Sequence, residues 1–249
     1  MVLAGFLLAL WYTQTQVKAS LKGKTIEPGD ITPEHVFDMC LAALFAGIVG
    51  ARILYIALDY NEFSGRPLDF FKVWTGGISI HGAVVASTLY CWFYSKKHKL
   101  NFAKFADICA PGLALGYAIG RIGCLLNGCC YGAACSLPWA MRFLKDGTPG
   151  VYTEPSHPTQ LYATILHLFL FGMLHLFNKR PHKNGETLYF FFTGYLLFRF
   201  LDEIYRKGAT ADIFMWGMTH AQVFSLVALP VVIILWLRLR SRKEGIAAA

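Results

Sequence analysis

Charge is what this sequence has least of. Asp, Glu, Lys and Arg make up 15% of its 249 residues, where a soluble domain carries about 25%. Acidic groups are the scarcer sign, 15 against 23 Lys and Arg, for a formal net charge of +8. Low-complexity tracts, a linker between two domains and alternating ten-residue patterns are also absent. Those absences exclude a disordered chain and a transmembrane β-barrel. Length and apolar content exclude a small disulfide scaffold and a soluble nucleic-acid binder.

Hydrophobic residues make up 55% of the chain, and the mean hydropathy is +0.45. They gather into seven apolar runs, over 1–17, 36–58, 78–94, 106–126, 159–177, 187–204 and 219–237. Each run is predicted as a helix, because a backbone crossing lipid must satisfy its own hydrogen bonds. The expected fold class is all-α: a polytopic bundle of seven transmembrane helices in one integral-membrane domain, 1–249. The first run has no basic stretch before it and no clear small-x-small site after it. It reads as a retained helix rather than a cleaved signal peptide.

Lys and Arg orient the bundle. One set of connections holds Lys18, Lys22, Lys24, Lys96, Lys97, Lys99, Lys104, Lys179, Arg180, Lys183, Arg238, Arg240, Arg242 and Lys243. The alternate set holds only Arg66, Lys72, Arg142, Lys145, Arg206 and Lys207. The N-terminus is therefore expected outside and the C-terminus inside. The surplus positive charge is a topological signal and an attraction to anionic lipid heads. Two outward connections, 59–77 and 127–158, are long enough to cover a site. The faint likeness between 46–52 and 116–121 joins segments running the same way, so it is not a transporter's inverted repeat.

Three basic residues lie inside apolar runs: Arg52, Arg121 and Arg199. Asp202 and Glu203 share the Arg199 run, and His81 starts the third. Left at a bilayer centre such groups cost about 2.5–3.5 kcal/mol each, so they should face protein or water. At about 1.5 Å per residue, Arg52 lies ~24 Å, Arg121 ~22 Å and Arg199 ~18 Å from the cytoplasmic start of its helix. His81 is near the outer start of its own. All four are expected in the outer half, converging on one site. Snorkelling to the interface is the alternative, for Arg52 more than for Arg199.

Arg199, Glu203 and Arg206 share one helix face, whereas Asp202 is expected to point elsewhere, capping the network or facing the headgroups. Guanidinium forks match phosphate, and a lipid phosphodiester is the anion found at that depth. His81 could accept a proton near neutral pH; Glu203 could do so too, or could hold Arg199. Gly112, Gly116 and Gly120, spaced four apart, predict close helix packing. Gly76, Gly77 and Gly82 flank a helix start and predict close backbone approach, including approach to a ligand.

At this point the motifs become specific. Gly120-Arg-Ile-Gly-Cys-Leu-Leu-Asn-Gly-Cys-Cys-Tyr-Gly132 resembles the G-R-x-G-N-x-x-N-x-E-x-x-G signature of the prolipoprotein diacylglyceryl transferase family. Four further blocks follow the family's order: Gly50–Tyr55, Gly76–Gly82, His157–Tyr162 and Arg199–Arg206. Leu137-Pro-Trp139 and Gln222 fit as well. The resemblance implies a seven-helix bundle in the bacterial cytoplasmic membrane, its site in the outer leaflet half. It implies phosphatidylglycerol and the lipobox cysteine of a preprolipoprotein signal peptide as substrates, with no cofactor and no metal. His81, Arg121, Arg199 and Glu203 would be catalytic. Arg52, Tyr55, Gly77, Ser79, Gly82, Asn127, Gly132, His157, Gln160, Tyr162 and Arg206 would bind substrate. Membrane lipids would surround the protein, and nucleic acid is not an expected partner.

The sequence departs from the pattern at four places. Cys124 stands at the family's first Asn, Cys129 at its Glu, Ala163 after Gln-Leu-Tyr and Ser156 before His-Pro. Cys124, Cys129, Cys130 and Cys135 sit at or beyond the outer boundary, where disulfides, free thiols or a metal or redox role all stay open. Cys40, Cys91 and Cys109 read as small buried hydrophobes. Two rival readings remain: a transporter or channel for an anion, and an inactive or redox paralogue using the cysteines. His167 and His175 are expected in the inner halves, which are otherwise apolar and disfavour a through-path.

Overall fold

A computed structural model describes residues 1–58, 76–77, 79–144, 150–206 and 213–241. Among them are seven helices: α1 (Val2–Leu21), α2 (Pro33–Leu58), α3 (Ile80–Lys97), α4 (Phe102–Leu126), α5 (Thr159–Asn178), α6 (Glu186–Tyr205) and α7 (His220–Ser241). They coincide with the seven apolar runs to within four residues at each end. The addition to an all-helical fold is an antiparallel hairpin, β1 (Ile213–Met215) and β2 (Met218–Thr219). Trp216 and Gly217 make its two-residue turn with φ of +52° and +73°, the positive values that such turns need.

Four of these helices, α2, α4, α5 and α7, are long and apolar enough to cross a membrane. Their apolar stretches are poorly covered by protein, from 33% buried in α5 down to 6% in α7. Exposed to water, such surface costs roughly 25 cal/mol per Å²; hydrocarbon removes that penalty. The fold is that of a helical membrane protein.

The chain divides into two compact units, Gln14–Phe105 and Met1–Thr13 with Ala106–Ala249. In the first, α2 and α3 pack antiparallel through small residues. Gly50 and Gly82 face each other so closely that a methyl on either would strike the other's backbone. One helical turn away, Gly47 sits against Ala83 and Ser87, and the Ser87 hydroxyl donates to the Ala43 carbonyl at 2.8 Å. The tightest approach is thus at Gly82, a residue whose sequence context suggested a ligand. Thr32 and His35 cap α2 reciprocally, just ahead of Pro33 at the first helical position.

In the second unit, the start of α1 runs antiparallel to α4. Gly112 meets Ala9 and Thr13, Gly116 meets Gly5 and Ala9, and Met1 reaches Gly123. At Gly120, the third of the spaced glycines, an added methyl would meet no described residue. Leu170 and Leu174 of α5, Ala110 and Ala114 of α4, and Phe191 and Phe198 of α6 form the core. Gly194 leaves the room that Leu170 fills. Thr219 and Gln222 form a reciprocal capping box at the start of α7, which gives Gln222 a structural task.

Polar groups tie the far ends of these helices. Buried Asp107 of α4 accepts from the Gly185 and Leu188 amides at 2.5 and 2.8 Å, satisfying donors that open α6. Lys183 donates to the Leu239 and Arg240 carbonyls at the end of α7. Glu186 pairs with Arg240 at 3.6 Å. The arginines of α4 and α6 lie at the opposite ends of their helices from this cluster.

Candidate active site

Four arms of the second unit meet around Arg121. Its Nε donates to the Tyr117 hydroxyl at 3.0 Å and its Nη2 donates to the same oxygen. The guanidinium also lies over the Tyr117 ring, 4.9 Å from its centre. Residues 117 and 121 are one helical turn apart, which is why they meet. Among the described residues no carboxylate forms an ion pair with Arg121.

On α6 the predicted trio is in place. Arg199 Nη1 lies 2.7 Å from Glu203 Oε2, and Arg206 Nη1 lies 3.8 Å from the same oxygen. The expectation for Asp202 is corrected. Its carboxylate is buried and stands 3.7 Å from Arg199, within electrostatic range of Arg121, Arg199 and Arg206 alike. Three guanidiniums therefore surround two carboxylates. The Glu203 side chain is fully covered and that of Asp202 nearly so, while Arg199 keeps 17% of its side chain exposed. The acids are inside and the cation reaches out.

Aromatic rings wall the cluster. His167 joins it, its ring centre 4.0 Å from that of Tyr117. Tyr195 stands edge-on to Tyr117 at 5.6 Å. His167 Nδ1 bonds to the Ala163 carbonyl at 2.8 Å, while its Nε2 is buried with no hydrogen-bond partner among the described residues. Tyr117 and Tyr195 were not singled out in the sequence; their signal is i, i+4 spacing to Arg121 and Arg199.

The segment after α4 is pinned beside this network. Gln160 Nε2 donates to the Cys129 carbonyl at 2.6 Å, and Thr159 Oγ1 to the Cys130 carbonyl at 2.8 Å. The Gly132 amide donates to the His157 carbonyl and the Ala133 amide to the Tyr205 carbonyl, both at 2.8 Å. A side chain at Gly132 would collide with Tyr205, His157 and Thr159. Tyr162 accepts from Trp139 Nε1 at 2.8 Å and bonds His157 Nδ1 at 3.2 Å. His157, Gln160 and Tyr162 thus brace the segment after α4. Asn127 is exposed, with no side-chain bond among the described residues.

Cys124, Cys129 and Cys130 bring their sulfurs within 4.8 Å of one another, and Cys135 stands apart from them. All four are unbridged thiols. Burial, with Cys129 and Cys124 alongside, pushes the Cys130 thiol up to about 11 against the pull of Arg206. It is protonated at neutral pH and no ready nucleophile.

Arg52, Tyr55, Gly77, Ser79, His81 and Gly82 belong to the other unit. Arg52 is buried, and its Nη1 donates to the Gly76 and Gly77 carbonyls at 2.8 Å each. Gly76 and Gly77 have φ of +92° and +73°, a conformation suited to glycine. A side chain on Gly77 would strike Arg52 and Tyr55. The Ser79 amide donates to the Ala51 carbonyl at 3.0 Å. His81 is exposed, and no bond joins it to another described residue. The connection expected to cover the site at 59–77 lies, apart from Gly76 and Gly77, outside the described residues.

Fold and site together define a class: a helical membrane protein with an arginine-rich network buried at one end of its helices. A sequence model of the prolipoprotein diacylglyceryl transferase family matches residues 1–238. The chain is 32% identical to the phosphatidylglycerol–prolipoprotein diacylglyceryl transferase of Vibrio cholerae O395, over 99% of this chain and 87% of that one. It is 33% identical to that of Vibrio atlanticus, covering 95% and 84%, and 35% to that of Vibrio vulnificus YJ016, covering 90% and 80%. The chain belongs to the prolipoprotein diacylglyceryl transferase family.

Proposed function

We infer that the chain transfers the diacylglyceryl group of phosphatidylglycerol to the lipobox cysteine of a preprolipoprotein signal peptide. One observation carries the site assignment: a half-buried Arg121 whose partner is a neutral phenol, beside a network richer in guanidinium than in carboxylate. Such a network is completed by an anion, and a phosphodiester fits it.

In the reaction, Arg121 and Arg199 hold the phosphate. The acceptor thiol gives its proton to a base, because a thiolate is the effective nucleophile, and an imidazole such as that of His81 suits that role. The sulfur attacks the glyceryl carbon that bears the phosphate ester, forming the thioether as the C–O bond breaks. The electron pair goes to the departing glycerol phosphate, where the two guanidiniums meet the growing charge. Glu203, paired with Arg199 at 2.7 Å, holds that fork in place.

Arg206, Asn127 and Gly132 line the phosphate side, with His157, Gln160 and Tyr162 bracing the outer segment. Arg52, Tyr55, Gly77, Ser79 and Gly82 shape the start of α3 that presents His81. We place the whole chain, 1–249, as one domain of seven spans in the bacterial cytoplasmic membrane, N-terminus out and C-terminus in. Its site is in the outer leaflet half. Support comes from the basic-residue asymmetry and from the shared end of Arg121, Arg199 and Arg206.

In the test, the purified protein is given labelled phosphatidylglycerol and a lipobox peptide. Thioether-linked diacylglycerol on the peptide cysteine, lost in Arg121→Ala and Arg199→Ala, is the expected result. Parental turnover in both variants would remove the phosphate-site assignment.

A further inference from the structure

The transfer proposed above uses none of the three clustered thiols, and Cys124 and Cys129 stand where the family pattern has Asn and Glu. Their placement is built rather than incidental. The Cys129 amide donates to the Cys124 carbonyl at 3.1 Å, closing the turn at the end of α4. Gly128 and then Cys130 adopt left-handed backbone, with φ of +67° and +65°. The second is unusual for a residue with a side chain. It accompanies adjacent sulfurs of Cys129 and Cys130 that lie 3.6 Å apart. Buried Thr159 and Gln160 fix the same two residues through their carbonyls.

Three sulfurs arranged in a plane around a metal at about 2.3 Å lie roughly 4 Å from one another. The observed cluster, within 4.8 Å, is a small contraction from that. Thiolates select soft metals such as monovalent copper and zinc. No other His, Cys, Asp or Glu among the described residues joins the three as a fourth ligand, and zinc in closed sites takes four. Arg121 acts on Cys124 and Arg206 on Cys130, so cations flank the negative charge that three thiolates bring.

We propose that Cys124, Cys129 and Cys130 form a three-thiolate site for a soft monovalent cation, of the copper(I) class. Binding breaks S–H bonds, forms three metal–sulfur bonds and releases the thiol protons to solvent. The copper stays monovalent, and no oxidant is consumed. This site stands independently of the transferase reading.

The full chain in detergent, reduced and free of oxygen, is titrated with copper(I) against a chromophoric chelator. One equivalent should move to the protein. Cys124→Ser, Cys129→Ser and Cys130→Ser should each weaken it by ~100-fold or more, while Cys135→Ser and Cys91→Ser leave it unchanged. Bound copper(I) should also protect those three thiols, and not Cys135, from alkylation in the unaltered protein, a readout that needs no variant to fold. No transfer from the chelator, equal uptake by the triple Ser variant, or loss of uptake in Cys135→Ser would each overturn the site. Displacement by equimolar zinc(II) would overturn the monovalent assignment.

Discussion

The two ends of α4 and α6 each carry a buried polar cluster, and the clusters differ in what is left over. At one end Asp107 is consumed by two amides of α6, Lys183 by two carbonyls of α7, and Glu186 faces Arg240. At the other, Arg121 has a phenol and Arg199 shares its carboxylates with Arg206. The first cluster closes on itself and joins helices. The second keeps a surplus of positive charge, three guanidiniums around two carboxylates. Burial and charge are common to both, so neither marks a site by itself; what remains unspent does.

The largest expected effect sharpens that contrast. Arg121→Ala should lower transferase turnover by about 10²–10³, the loss that follows removal of one preorganised donor to developing charge. Thermal unfolding should move less, because no carboxylate among the described residues forms an ion pair with Arg121. Asp107→Ala should do the reverse. It strands two buried amides and should destabilise the protein by roughly 2–4 kcal/mol, read as an earlier unfolding midpoint in detergent. Turnover per folded molecule should be kept. A variant pair with these roles exchanged would break the comparison.

Smaller effects test the support around Arg121 and Arg199. Glu203→Gln keeps the shape but removes the charge that fixes Arg199. About tenfold lower turnover is expected, the equivalent of about 1.4 kcal/mol, when the ion pair that holds the fork loses its negative partner. Tyr117→Phe removes one neutral acceptor, worth about 0.5–1.5 kcal/mol. It should appear as a KM raised a few-fold with kcat nearly intact, and an unchanged KM would show that Tyr117 does not place Arg121.

The helices were legible in the sequence because hydrocarbon demands long uninterrupted apolar runs, and the seven described helices follow them. The Arg199–Glu203–Arg206 line was legible because i, i+4 spacing fixes which side chains share a face. Asp202 was misjudged for a related reason. Its spacing of three from Arg199 also allows an ion pair, and burial next to Arg121 on α4 is a tertiary fact. The meeting of His167 with Tyr117, by packing between α4 and α5, is likewise a tertiary fact. Asp107 gave no local sign of its task, since its partners are amides about eighty positions away. Gly82 shows how one residue type serves two readings: its missing side chain suits a ligand, and Gly50 fills the space.

The central claim is that the network of Arg121, Arg199 and Arg206 holds the phosphate of the lipid. Binding of phosphatidylglycerol to the full chain in neutral detergent tests it most directly, with Arg121→Ala and Asp107→Asn compared at matched folded fraction. Arg121→Ala should bind about 10–100-fold more weakly, because one charged hydrogen bond to the phosphate is removed. Asp107→Asn should bind like the parent. Undiminished lipid binding by Arg121→Ala would contradict the account.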